Sequence, residues 1–297
     1  MDSLLALRQH YLDQPHEVSF ETLAVCNAAC VFCPYPTLER QGAQLPSSTI
    51  RSLIDQMSFW TKPFYVSPFK VNEPFLDSRL PQLCRDVEAE CPEATLRLFT
   101  NGHPLTERQL EWVARLKKLD CLWISLNSTD PQEYGERMKV SYSVVRQKLD
   151  TLHEWMQTQR FPHRVVVSRV MTGECDIDPD CASAPLRGDR KDAFFINAVR
   201  RTWPRFEPFL IKRDAWLGYV DPSDARVPQA PCARWFELNI TATGKAVLCC
   251  MDGEEKYVLG DVSTQSLLDI YNQPVLRARR AHALSREGID PCSGCSY

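Results

Sequence analysis

Alternating strand and helix signals predict an α/β fold built from parallel βαβ units. Three observations carry that prediction. Six strand-like runs, rich in β-branched and aromatic residues, recur at 17–24, 64–69, 95–100, 121–126, 164–171 and 207–213. Helical patterns separate them near 47–58, 77–90, 105–117, 142–159 and 189–202. Beyond about residue 215 the pattern changes to short strands and a broken helix, which divides the chain into a large domain, 1–215, and a small one, 216–297.

The elements follow from local chemistry. SLLALRQHYLD (3–13) places Leu4, Leu7, Tyr11 and Leu12 at helical spacing and stops before Pro15, so a helix capping the bottom of the large domain is expected. Each strand then leads into a helix, and in barrels of such units the loops after the strands carry the chemistry. The stretch GECDIDPDCASAPLRG (173–188) reads as a long polar loop after the fifth strand. Its Cys175 and Cys181 are plain loop cysteines in the simpler reading and metal ligands in the other. Cys84, Cys91 and Cys121 fall on helix or strand patterns and read as core residues. In the small domain, FELNITATGKAVLCC reads as two strands joined at Gly244, where a positive φ is easy. STQSLLDIYNQPVLRARRAHAL reads as one helix broken at Pro274.

Composition excludes several classes. The 297 residues suffice for one big domain with a small appendage, and a net charge of -3 with interspersed signs argues against a nucleic-acid partner. No apolar run approaches membrane-spanning length and no signal-peptide core opens the chain, so no membrane partner and a cytoplasmic location are expected. The 13 cysteines are then more suited to metal or redox use than to disulfides.

Cys26, Cys30 and Cys33 sit in the run CNAACVFC just after the first strand. Zinc and most iron–sulfur sites close with four protein ligands, so three thiolates leave one coordination position open. Phe32 adds an apolar wall beside the last of them. This segment resembles the radical S-adenosylmethionine (SAM) enzymes, whose signature is C-x3-C-x-aromatic-C at this position. The resemblance implies a partial (β/α)6 TIM-like barrel, a 4Fe-4S cluster held by the three cysteines, and SAM bound through the open iron. KVNEPF (70–75) resembles the family's GGEP-like segment, with Glu73 and Pro74 matching and Val71 and Asn72 in place of the glycines. It implies SAM-binding roles for Asn72 and Glu73. TNG (100–102) also matches the family, and SLNSTD (125–130) resembles its ribose-contacting segment, which implies roles for Ser125 and Asn127. Arg169 interrupts an apolar strand and needs an anion, either the SAM carboxylate or a structural Asp or Glu.

The tail holds Cys232, Cys249, Cys250, Cys292 and Cys295, one more than a four-ligand set needs. A zinc site and an iron–sulfur site both suit thiolates. The order of cysteines and the LGDVSTQSLLDIYNQP run resemble the twitch and SPASM extensions of radical SAM enzymes, which implies one auxiliary 4Fe-4S cluster. Neighbouring residues on a strand face opposite ways, so one of Cys249 and Cys250 is expected to meet the cluster while the other faces the barrel mouth. The family's G-x4-C spacing from Gly244 favours Cys249 as ligand; the C-x17-C gap favours Cys250.

The chain as a whole resembles radical SAM epimerases of neomycin-type aminoglycoside biosynthesis. That resemblance implies Cys249 as hydrogen donor, Cys232, Cys250, Cys292 and Cys295 as auxiliary ligands, an aminoglycoside substrate, and an electron donor such as flavodoxin or ferredoxin. The rivals are an aminocyclitol or sugar-alcohol dehydrogenase and a peptide-modifying enzyme. With about sixteen residues before the first strand, a leader-binding module is not expected.

Overall fold

The computed structural model describes residues 4–171, 190–212, 216–218 and 230–295. The loop carrying Cys175 and Cys181 lies outside them. Six strands occur in chain order: β1 (Glu17–Phe20), β2 (Phe64–Ser67), β3 (Ala94–Thr100), β4 (Leu119–Ser125), β5 (Arg164–Val170) and β6 (Glu207–Ile211). All pair in parallel with their sequence neighbours. The parallel pairing follows from the helices between them, since each strand must return to the same end of the sheet. These are α2 (Ser47–Met57), α3 (Leu80–Glu90), α4 (Glu107–Ala114), α5 (Pro131–Met138), α6 (Tyr142–Gln157) and α7 (Arg190–Thr202).

The core forms where sheet and helix periodicities meet. Along β3, Ala94, Leu96 and Leu98 are buried while Thr95, Arg97 and Phe99 are half-buried. The buried set packs on helix stripes such as Ile50, Leu53, Ile54 and Met57 of α2, spaced as one helical face requires. The opposite sheet face carries a row of rings. Phe69 stacks on Phe99 at 4.8 Å, Phe99 meets Trp123 at 5.8 Å, and Trp123 meets Phe209 at 5.1 Å. Below them runs a zigzag of charges: Arg97 bonds Glu17 and Asp120, and Arg164 bonds Glu207. Cys84, Cys91 and Cys121 are buried, as their helix and strand positions imply.

The small domain continues the same sheet. β7 (Glu237–Ile240) pairs in parallel with β1, and β8 (Lys245–Val247) and β9 (Val258–Asp261) follow antiparallel, giving the order β6-β5-β4-β3-β2-β1-β7-β8-β9. Gly244 takes φ 83° at the β7–β8 turn. The predicted broken helix is two helices, α8 (Leu267–Tyr271) and α9 (Pro274–His282), with Pro274 opening the second. Strand β9 and helix α5 were not foreseen. α5 carries a readable start signal, Asp130 capping Glu133 N at 2.8 Å with Pro131 at the first turn. α1 (Leu4–His10) differs from the expected barrel cap: Leu7 packs with Cys232, Trp235 and Phe236, so it closes over the start of the small domain.

Candidate active site

The chain after β1 curls into the cysteine loop, and three neighbours hold it. Ala29 N and Val31 N donate to the carbonyls of Met138 and Arg137, at 3.3 and 3.0 Å, at the C-terminal end of α5. Cys30 Sγ lies 3.6 Å from Met138 Sδ. Cys26 Sγ accepts from Ala28 N at 3.4 Å and lies 3.9 Å from Asn101 Nδ2, the middle residue of the TNG turn. The Phe32 ring packs on the core, with the Arg137 guanidinium 5.3 Å from its centre.

Burial raises the pKa of all three thiols, Cys26 to about 11 and Cys33 to about 12, and Cys30 also feels Cys33 and Cys26 as like charges. Three thiols gathered on one loop suit a soft metal group, whose binding would displace their protons. Among the described residues no three His, Cys, Asp or Glu side chains converge on a single-ion site.

The segment 70–75 has polar capacity to spare. Asn72 is buried; its Oδ1 accepts from Lys70 N at 3.0 Å, and its Nδ2 has no partner among the described residues. Tyr134 Oη, on α5, is likewise buried without a partner. Buried donors without acceptors cost free energy, and a polar ligand relieves that cost. Glu73 is 3% exposed and accepts from Asn101 N at 2.6 Å and Phe75 N at 3.2 Å. Burial raises its pKa to about 7. Glu73 thus ties the segment after β2 to the TNG turn after β3. Ser125 ends β4 beside Ser168 of β5, half-buried.

Two expected contacts differ. Arg169 is fully buried and bonds Asp192 of α7 at 2.7 Å, Glu133 of α5 at 2.8 Å and the Asn127 carbonyl. Of its two alternatives the structural acids hold it, because a buried guanidinium needs that much compensation. Asn127 adopts φ 65°, and its amide is spent inside the fold: Oδ1 accepts from Val170 N at 2.7 Å and Nδ2 meets Met138 Sδ at 3.2 Å. Its part is to shape the turn that presents the segment. Sequence reasoning missed Met138, Arg137 and Tyr134 together, because it missed α5.

In the small domain, the cysteine pair departs from the strand geometry expected for it. β8 ends at Val247, and Cys249 and Cys250 lie in the turn that follows, so strand alternation does not separate their side chains. Both are half-buried. Burial raises the Cys249 pKa well above normal; Cys250 and more weakly Cys232 add to this, while Lys70 opposes it. Cys292 packs on the cluster formed by Leu7, Cys232, Trp235 and Phe236. Arg286 Nη1 reaches the Cys295 carbonyl at 3.5 Å.

Residues 20–174 match the Radical SAM superfamily, and residues 232–296 match the SPASM iron-sulfur cluster-binding domain. The chain belongs to the radical SAM superfamily. Its cofactors are a SAM-binding 4Fe-4S cluster, SAM and an auxiliary iron–sulfur cluster. No curated protein matches the sequence. Among solved structures the fold is similar to that of BtrN in complex with AdoMet and 2-DOIA, at TM-score 0.59 and 16% identity over 95% of this chain and 93% of that one. It is also similar to Streptococcus suis SuiB bound to precursor peptide SuiA, at TM-score 0.68 and 13% identity over 98% and 72%. A third similar structure is anSMEcpe with bound AdoMet, at TM-score 0.65 and 11% identity over 92% and 83%. At these identities the likeness shows the shared fold. No helix among the described residues is long and apolar enough to cross a membrane.

Proposed function

We propose that this radical SAM enzyme is an epimerase that inverts one carbon centre of an aminoglycoside amino sugar, in the manner of neomycin C becoming neomycin B. The observation that supports this reading is the adjacent pair Cys249 and Cys250, in one turn that bonds to the SAM segment through Lys70. A four-ligand auxiliary set needs only one of the two. When bound, the cluster and SAM supply a 5′-deoxyadenosyl radical able to take a hydrogen atom from an unactivated carbon.

In this reading Cys26, Cys30 and Cys33 hold the first cluster with Phe32 as its apolar wall, and Asn72, Glu73 and Ser125 bind SAM. Cys232, Cys250, Cys292 and Cys295 hold the auxiliary cluster. Cys249 gives its thiol hydrogen to the substrate carbon radical. The sulfur–hydrogen bond is the weaker one, so the transfer runs downhill. A carbon–hydrogen bond forms, a sulfur–hydrogen bond breaks, and the sulfur is left one electron short. One electron, originating from a flavodoxin- or ferredoxin-type donor, and one proton restore the thiol.

The test is the anaerobically reconstituted enzyme with neomycin C and a chemical reductant in deuterated buffer. The expected product is an isomer of the substrate carrying one solvent deuterium on the inverted carbon. A product two hydrogens lighter would instead make the enzyme a dehydrogenase. No product, with turnover on a peptide, would move it to the peptide-modifying class.

A further inference from the structure

Lys70 holds no cluster, cofactor or substrate in the reading above, yet it joins two of its parts. It follows β2 by three residues and is 3% exposed. Its ammonium crosses to the small domain, where Nζ donates to the carbonyl of Cys250 at 3.0 Å and of Asp252 at 2.5 Å. A buried ammonium is costly unless paired and hydrogen-bonded, so a lysine kept there must be held by its surroundings. The buried Glu21 supplies the nearby negative charge, and it also accepts from Val71 N at 3.1 Å and from Arg40.

Both acceptor carbonyls belong to one tight turn. Asp252 N bonds the Cys249 carbonyl at 3.2 Å, and the Asp252 carboxylate accepts from Lys256 N at 2.9 Å and Tyr257 N at 2.8 Å. Arg40 Nε donates to Gly253 O at 2.9 Å, which ties the same turn to the loop after β1. At its other end, Lys70 N donates to Asn72 Oδ1 at 3.0 Å. One residue therefore spans the SAM segment and the double-cysteine turn. A compact ammonium with three donors suits two converging carbonyls better than a planar guanidinium does.

We propose that Lys70 is a positioning residue, fixing the Cys249 turn against the SAM segment and so coupling radical formation to hydrogen return. The proposal rests on the epimerase reading for the second half of that statement. The first half, the latch itself, is independent of substrate.

The experiment compares wild type with Lys70→Met, which keeps the stem and removes the donors, and with Lys70→Arg, which keeps a charge in the wrong shape. Two quantities are read: 5′-deoxyadenosine formed per inverted sugar from neomycin C in deuterated buffer, and hydrogen exchange of the amides of 250–257. In Lys70→Met the ratio rises about a hundredfold, the loss that a misplacement of about 1 Å causes in an oriented reaction. Exchange quickens at Lys256 and Tyr257, while helix α6 keeps its wild-type protection. Lys70→Arg falls between the two proteins in both readings. A wild-type ratio and wild-type exchange in Lys70→Met would overturn the proposal, as would uniform loosening of the whole chain. Should Lys70→Met fail to fold, equality of Lys70→Arg with wild type in both readings overturns it. If wild type forms 5′-deoxyadenosine but no inverted sugar, the epimerase reading fails instead, and the exchange data alone decide whether Lys70 latches the turn.

Discussion

The two cysteine groups of this chain are organised differently. Cys26, Cys30 and Cys33 lie within eight residues on one loop, between the end of β1 and the end of α5. The second group runs from Cys232 to Cys295 and is spread over a strand entry, a turn and the chain's last short helical turn. Gathering close residues costs little chain entropy; gathering distant ones costs more and must be offset by packing elsewhere. The first group thus needs only its loop. In the second, Cys232 and Cys292 share the Leu7–Trp235–Phe236 cluster, Lys70 holds the Cys250 carbonyl, and Arg280 ties α9 to the carbonyl of Tyr271.

The largest expected effect separates the groups outright. Cys30→Ala should abolish 5′-deoxyadenosine formation, because two thiolates do not hold an iron cluster with an open position. Iron content should fall by about half, since the proposed auxiliary ligands are untouched. Loss of all iron would show that the two groups assemble as one unit and would break the contrast. Cys249→Ala should act on one function only. SAM cleavage continues, and solvent deuterium no longer appears in an inverted sugar. Unchanged deuterium incorporation in this variant would remove the donor role from Cys249.

The same contrast explains how much the sequence revealed. The first loop was legible because its signal is local: spacing, the aromatic Phe32 and the preceding strand all fall within residues 17–33. The Gly244 turn and the break at Pro274 were legible for the same reason, being set by single-residue backbone chemistry. Arg169 announced a need for an anion, but Asp192 and Glu133 lie on elements that only the fold brings alongside. Lys70 gave no signal, since its acceptors are main-chain carbonyls 180 and 182 residues away. The turn geometry at Cys249 and Cys250 was hidden because apolar residues before the pair extend the strand pattern past Val247, where pairing stops.

A third, smaller effect tests what gathers the second group. Arg280 is buried; it donates to the carbonyls of Tyr271 at 2.8 Å and Leu12 at 3.1 Å and lies 3.6 Å from the centre of the Tyr271 ring. Arg280→Ala leaves those carbonyls and a cavity behind, at a cost of about 3 kcal/mol. The auxiliary iron should become labile to chelators while SAM cleavage at the first site persists. Equal loss of iron from both sites would mean that Arg280 supports the whole fold rather than the tail.

The smallest effect concerns the seam between the regions. Glu237 opens β7 directly opposite Glu17 of β1. Burial raises its pKa to about 7; Arg234 pulls it down, through a bond of 2.6 Å, and Glu17 pushes it up. The folded protein therefore binds this proton more tightly than the unfolded chain, whose carboxyl titrates near 4.5. Its stabilising contribution is complete below about pH 4.5 and is lost as the pH rises through 7, on the order of 3 kcal/mol in all. Glu73 and other carboxyls titrate in wild type and variant alike, so the difference between wild type and Glu237→Gln isolates this one. Urea unfolding of the metal-free chain should show wild type losing stability relative to Glu237→Gln between pH 5 and pH 8. A constant difference across that range would show that Glu237 stays charged at the seam, held by Arg234, and that the β1–β7 pairing tolerates two facing carboxylates.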